Sequence, residues 1–464
     1  LIDSCKKCYA SLFTDRAIVY REKMGFDHMK VALSVGVQKM VRASSTCSGV
    51  MFTLDTESGF ENVVLINSSW GLGENIVKGT VTPDHFCLFK PLLDDPDKRP
   101  ILEKTLGTKR LKMVYCTGNG SRTQNEQTSI EERQQFSLTD DEALLLARWG
   151  VIIENHYGRP MDIEWVKDEE TDAFFVVQAR PETVHSQTKT DALKTYTFTE
   201  SPPPPLFTGI SIGSSIVSGT VKIVHNYSDL KEIDRQTVLV TEMTEPDWVP
   251  ALRQAAGIIT DFGGRTCHAA IVSRELNLPA VVGTGKGTTS LTDGQKITLS
   301  TASGETGFIY PGLLNYRIEE VNAENLPRTK TCIMLNLAAP ESAFKWWRLP
   351  VSGVGLTRLE FIISIHIKIH PLALVYPDRI KDEEEIRKIR KMTGGYSDMR
   401  HYFVDKLAEG VSKIAASRYP DPVIVRTSDF KTNEYAGLIG GKYFEPHEEN
   451  PMLGWRGACR YYST

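Results

Sequence analysis

Long apolar runs are missing from this 464-residue chain. No stretch approaches the ~20 apolar residues that a membrane-spanning helix needs. The most apolar candidate, Phe361 to Tyr376, is interrupted by His366, Lys368, His370 and Pro371. Long basic runs are missing too. Lys plus Arg number 54 against 58 Asp plus Glu, a formal charge of −4, which argues against nucleic acid or an anionic membrane as the main partner. Cysteine is sparse: eight residues, spread too thinly for a disulfide framework. Cys5 and Cys8 form a CxxC within a helical pattern from Ser4 to Met24, but no second CxxC or His pair completes a zinc site. They read as two reduced thiols on one helix face, and a cytoplasmic setting is expected. An initiator Met and a signal peptide are also lacking; the start Leu1-Ile2-Asp3 reads as the interior of a longer chain.

What is present is ordinary globular material, 41% hydrophobic and 24% charged, which excludes disordered and fibrous classes. The length allows about three domains. Residues 1–185 mix helices with short strands, including a long helix pattern from Asp140 to Tyr157 that ends at the breaker cluster Gly158-Arg159-Pro160. Residues 186–208 contain Pro202-Pro203-Pro204-Pro205, which favours stiff, extended polyproline II and marks a linker. Residues 209–311 are rich in glycine and β-branched residues, with short buried strands around 238–241, 257–260, 280–283 and 296–299 and one clear helix, His268 to Leu276. A second linker covers 312–330. Residues 331–464 alternate strands (332–336, 353–356, 423–426) with helices (382–392, 401–417), which suggests βα units on a parallel sheet. That segment is too short for a closed (β/α)₈ barrel of ~250 residues.

Three constellations carry chemistry. Met161-Asp162-Ile163-Glu164-Trp165-Val166 and Phe174-Phe175-Val176-Val177-Gln178-Ala179-Arg180 flank a charged turn, as a hairpin would. Period two places Asp162 and Glu164 on one face of the first strand, and Gln178 and Arg180 on one face of the second. Such a face suits Mg²⁺ with a polyphosphate, although a merely solvated hairpin face gives the same pattern. The second constellation is Gly263-Gly264-Arg265-Thr266-Cys267-His268-Ala269-Ala270-Ile271: a glycine turn with His268 in the first turn of a helix, where unpaired N–H groups favour a phosphate beside the imidazole. A neutral imidazole nitrogen is a competent phosphoryl acceptor; the alternative is a structural histidine. Third, Gly353 to Phe361 and Val425 to Asp429 each present a strand followed at its carboxyl end by an arginine, Arg358 and Arg426. That end builds ligand sites in βα folds, while singly each arginine also suits a surface ion pair.

Together these segments resemble the PEP-utilising enzyme family, which includes pyruvate phosphate dikinase. Gly263 to Ile271 is similar to the family's phosphohistidine motif, and the likeness extends along essentially the whole chain, through Phe430-Lys431-Thr432-Asn433-Glu434-Tyr435 and Glu448-Glu449-Asn450-Pro451-Met452-Leu453-Gly454. The resemblance implies an α/β and α+β multidomain fold. Its parts would be the C-terminal portion of an ATP-grasp domain (1–185), a swivelling phosphohistidine β/α domain (209–311) and the N-terminal portion of a PEP/pyruvate-binding (β/α)₈ barrel (331–464). It implies conversion of ATP, pyruvate and water to AMP, phosphoenolpyruvate and phosphate, by way of phosphorylated His268. Glu164 and Gln178 would be Mg²⁺ ligands, with Asp162 and Glu74 as nucleotide contacts and Arg180 at the phosphoryl groups. Arg358 and Arg426 would bind the phosphate of PEP. Thr266 matches a threonine that a regulatory kinase/phosphatase modifies in relatives, with an N-cap hydroxyl as the alternative. The expected partners are ATP, pyruvate or PEP and further copies in a homo-oligomer. The other functions to weigh are the phosphate-dependent dikinase reaction and a non-catalytic phosphocarrier or assembly subunit. The ATP-grasp glycine-rich loop and the barrel's acidic metal ligands and cysteine acid are expected outside these residues.

Overall fold

A reciprocal capping box sets the longest helix of the first unit. The Thr139 hydroxyl accepts from the Glu142 N–H, the Glu142 carboxylate accepts from the Thr139 N–H, and Gly158 at φ 63° closes the helix Asp140–Tyr157. The computed structural model describes every residue except 117–122, 183–191, 231–232, 245–247, 266, 277, 323–328, 395, 397, 451–453 and 463–464. No described helix is long and apolar enough to cross a membrane. The expected helix from Ser4 to Met24 is instead two, Ile2–Ala10 and Asp15–Met24, because Thr14 leaves the helical region at ψ 149°.

In the first unit the strands are β1 (Cys47–Phe52), β2 (Val63–Trp70), β3 (Asp84–Phe89), β4 (Ile101–Thr105), β5 (Leu111–Tyr115), β6 (Thr123–Gln127), β7 (Met161–Lys167) and β8 (Phe174–Pro181). Six form an antiparallel sheet in the order β4-β3-β2-β1-β7-β8, and β5 pairs with β6. Alternation gives the sheet two buried faces. Met51, Val64, Ile66, Phe86, Leu88, Ile163 and Trp165 pack under Ala143, Leu146 and Ala147 of the long helix. From the other face Val50, Phe52, Val63, Leu65, Cys87 and Phe89 meet Leu337, Phe344, Val354, Ile414 and Ala416 of the third unit. The sheet is thus sandwiched, and its second face, the one bearing Asp162 and Glu164, is the one covered by the third unit.

Parts of the two expected linkers are strands. β9 (Ala192–Phe198) pairs antiparallel with β17 (Tyr316–Asn322), from Phe198 opposite Tyr316 to Ala192 opposite Asn322. Neither stretch has a strong hydrophobic signal of its own; each finds its hydrogen-bond partner more than a hundred residues away. The proline run lies between β9 and the barrel, without regular structure. That barrel is closed by β10 (Phe207–Ile212), β11 (Ile216–Ile223), β12 (Thr237–Thr241), β13 (Gly257–Thr260), β14 (Ala280–Val282), β15 (Lys296–Ser300) and β16 (Thr306–Pro311), in the order β10-β14-β13-β12-β11-β15-β16. The run β11 to β14 is parallel and the other pairings are antiparallel. Val221, Val238, Val240, Ile259, Val281 and Leu299 fill one core. Leu239, Ile258, Ala280 and Val282 face the other way, onto Ala269, Ala270 and Val272 of the helix His268–Glu275.

The third unit holds a three-stranded parallel sheet of β18 (Leu335–Asn336), β19 (Val354–Arg358) and β20 (Val423–Arg426), with β19 in the middle. β18 is shorter than the expected strand at 332–336. Helices Glu383–Met392 and Met399–Ala416 lie between β19 and β20 in sequence; Asp382 and Asp398 cap them.

Candidate active site

The histidine loop is shaped by Asp261 and Gly263. Asp261, just past β13, accepts from the Gly287 N–H, the Thr288 N–H and hydroxyl, and the Thr284 hydroxyl at 2.9 Å, which ties this turn to the one after β14. Gly263 sits at φ 116°, and a Cβ there would come within 2.7 Å of the Cys267 sulfur, so only glycine fits. The chain then enters the helix at His268, with Cys267 as its N-cap and no side-chain cap. The imidazole is half-buried and its Nδ1 lies 2.9 Å from the Thr244 hydroxyl. This bond fixes the ring and, with the proton on Nδ1, puts the lone pair on Nε2. Thr244 carries no signal in the sequence: it is one hydroxyl in a loop 24 residues away. Thr266, the expected regulatory residue, lies outside the described residues. Burial pushes the neighbouring Cys267 thiol up, which keeps it neutral.

In the hairpin the register places Asp162 opposite Arg180 and Glu164 opposite Gln178. The Arg180 Nε donates to the Asp162 carboxylate at 2.8 Å, and a second guanidinium nitrogen lies 2.8 Å from the same oxygen. Burial raises the Asp162 pKa against the pull of Arg180. Glu164 is raised first by burial and then by Asp162. One guanidinium therefore serves two desolvated carboxyls, and the set as a whole is short of positive charge. Glu74 opens the short helix Glu74–Lys78 and pairs with Lys78 at 2.6 Å.

The histidine loop is docked on the first unit. Gly79 lies so close that a Cβ on it would run into Cys267, and Gly264 packs on Pro83. Glu57, in the loop between β1 and β2, pairs with Arg274 and accepts from the Gly213 N–H at 2.9 Å. A cavity of about 570 Å³ opens along this seam, with Thr80, Thr82, Arg110, Arg133, Phe262 and Gly263 in its wall. Docking falls at two places, beside the start of β3 through Gly79 and Pro83 and at the β1–β2 loop through Glu57. The structure thus joins the histidine loop and its helix to the first unit.

Arg358 and Arg426 end neighbouring parallel strands and stand opposite each other in register. Both are exposed. Arg426 pairs with Glu360, which also accepts from the Asp429 N–H at 2.9 Å. Asp429 is gripped by Arg456 at 3.1 and 2.7 Å, a further guanidinium that sequence reasoning missed because it arrives from a distant loop.

Along the chain, a histidine on a small barrel comes after an oxygen-lined hairpin and before a pair of strand-end arginines. Three family models match the chain in that order: the AMP/ATP-binding domain of pyruvate phosphate dikinase at 1–200, the mobile domain of PEP-utilising enzymes at 233–304 and their PEP-binding domain at 315–464. The chain belongs to the PEP-utilising enzyme family. It is 51% identical to a phosphoenolpyruvate synthase of Synechocystis sp. over 471 aligned residues, covering 100% of this chain and 57% of that one. Similar proteins of that name from Aquifex aeolicus and Escherichia coli are each 48% identical, over 99% of this chain and 60% and 57% of theirs. The chain therefore spans a little under three fifths of the length of the curated relatives it matches.

Proposed function

We propose that this chain is part of a phosphoenolpyruvate synthase, which converts ATP, pyruvate and water to AMP, phosphoenolpyruvate and phosphate. The observation that carries this reading is the setting of His268, at a helix start on a separate barrel whose two flanking strands pair as a ribbon. In this account residues 1–185 are the C-terminal portion of an ATP-grasp domain, 209–311 a swivelling carrier and 331–464 the first part of a PEP/pyruvate barrel. The Nε2 of His268 attacks ATP at the β-phosphorus and AMP leaves. Water then removes the terminal phosphoryl group as phosphate. The barrel turns about the β9–β17 ribbon, and the enolate oxygen of pyruvate takes the remaining phosphoryl group.

Glu164 and Gln178 fit Mg²⁺, because they supply hard oxygen donors side by side and Glu164 lacks a countercharge of its own. Two protein oxygens plus phosphate oxygens are a usual Mg²⁺ set, and no group of three or more His, Cys, Asp or Glu able to hold a metal occurs among the described residues. The ion would neutralise polyphosphate charge at the hairpin. Arg180 neutralises charge on the transferring group, while Asp162 holds its guanidinium in place. Arg358 and Arg426 clamp the phosphate of PEP at the strand ends.

Product analysis on the full-length protein with ATP, pyruvate and Mg²⁺ tests this reading. AMP, phosphate and PEP are expected without added phosphate. A strict requirement for phosphate with release of pyrophosphate would reassign the chain to the phosphate-dependent dikinase reaction.

A further inference from the structure

Four charged side chains from all three units meet beside the histidine loop. Lys413, on the helix Met399–Ala416 of the third unit, donates to Glu103 of β4 at 2.8 Å and to Glu305, which precedes β16 of the barrel. Glu305 also pairs with Arg265 at 3.4 Å, and Arg265 lies three residues before His268 in the docked loop. Lys413 is only 8% exposed. A lysine so far out of water is tolerated only where close carboxylates offset its desolvation. Burial pulls its pKa down, but Glu103 and Glu305 outweigh burial and the net direction is up. Glu305 moves the other way: burial raises it, and Lys413 and Arg265 overcome that and hold it low. All four groups are therefore charged near neutrality. None of them belongs to the hairpin or to the strand-end arginines.

The charge count is what distinguishes this cluster from an ordinary interface contact. Two cations and two anions meet, and they divide into neutral pairs along the line where the barrel would part from the rest. Arg265 and Glu305 both belong to the barrel and would leave together. Lys413 and Glu103 would stay together, because the third unit packs on the sheet that carries β4. Within this cluster separation costs the cross-links but strands no unpaired charge on either side, as one leftover lysine or glutamate would, whereas the Glu57–Arg274 pair across the same seam is split. A contact of that kind holds one position without locking it.

We propose that Lys413 is a positioning residue, clamping Glu305 of the histidine barrel to Glu103 of the first unit and so holding the Arg265–His268 loop in its ATP-facing place. The proposal rests on the phosphohistidine reading above. Cys267 reports docking independently of chemistry through its contact with the first unit: it sits on the barrel's own core, is 3% exposed, and Gly79 of the first unit closes on its Cβ. In the full-length protein, N-ethylmaleimide modification of Cys267, mapped by mass spectrometry, is compared with transfer of label to His268 from ATP and from PEP. Lys413→Met is expected to speed Cys267 modification and slow ATP-driven labelling, each roughly tenfold, because a buried pair has lost its partner. PEP-driven labelling should not slow, and Lys413→Arg should keep wild-type behaviour in all three readouts. Should Lys413→Met fail to fold, Glu305→Gln leaves Lys413 its Glu103 partner and should give the same split. Unchanged protection of Cys267, or an equal fall in both half-reactions, would overturn the clamp. If the unsubstituted protein takes no phosphoryl group from ATP, the phosphohistidine reading fails, and Cys267 protection alone still decides for or against the clamp.

Discussion

The hairpin of the first unit and the strand ends of the third both present guanidinium groups, yet the groups around them differ. In the hairpin one arginine stands among two carboxyls and an amide, and Asp162 is buried beneath it. At the strand ends two arginines stand side by side in the open, Arg426 paired with Glu360, with Arg456 close by through Asp429, so that three guanidiniums face two carboxylates. An oxygen-rich face suits a polyphosphate that arrives with a cation, whereas paired guanidiniums suit an anion that arrives alone. Neither place duplicates the other. In this account each serves one half of the reaction and only His268 connects them.

The largest effect that could break this comparison comes from the connection itself. His268→Asn keeps a polar side chain but has no nucleophilic nitrogen, so labelling from ATP and from PEP should both vanish, while ATP and PEP still bind. Acid-labile, base-stable label is the assay, and label persisting in the variant would mean a different carrier. Thr244→Val should act on both half-reactions alike, slowing each by roughly tenfold, because it frees the ring without removing it. A fall in one half alone would show that the Thr244 bond belongs to one docking position only.

The smallest effect sharpens the contrast from the side of stability. The Glu164 pKa is raised in the folded protein, so its ionised form costs stability as pH rises through the ordinary carboxylate range and beyond the folded value. Without metal and nucleotide, Glu164→Gln should therefore be slightly more stable at neutral pH. The gain should be roughly 0.5 kcal/mol or less, since the group is only partly buried and solvent screens it. Thermal unfolding at pH 7 and at pH 4 checks the sign, for the gain should shrink at the lower pH. A loss of stability at pH 7 would mean that Glu164 has a countercharge in the folded protein.

The hairpin was the most legible part of this molecule because its partners are local. Period two along Met161 to Val166 and Phe174 to Arg180 already places Asp162 with Glu164 on one face and Gln178 with Arg180 on one face, while their pairing across the hairpin depends on a bulge at Glu164–Trp165 that only the folded pair shows. The helix from Asp140 was equally plain, with its cap and its breaker in the sequence. The barrel was legible only as separate strands. Its closure joins residues as far apart as Phe207 and Ile309, with mixed parallel and antiparallel pairings that no local pattern encodes. The β9–β17 ribbon, Thr244 and the Lys413 cluster stayed hidden for the same reason. Each depends on a partner that only the folded chain brings near.

Arg180→Ala and Arg358→Ala, assayed side by side in the full-length protein, test the division of labour most directly. Label is transferred to His268 from ATP in one reaction and from PEP in the other. The account predicts a crossed result: Arg180→Ala loses roughly 10²-fold or more in the ATP reaction and keeps the PEP reaction, and Arg358→Ala does the reverse. If either substitution disabled both reactions in a protein with unchanged circular dichroism, or spared the reaction assigned to it, the two sites would not be the separate halves described here.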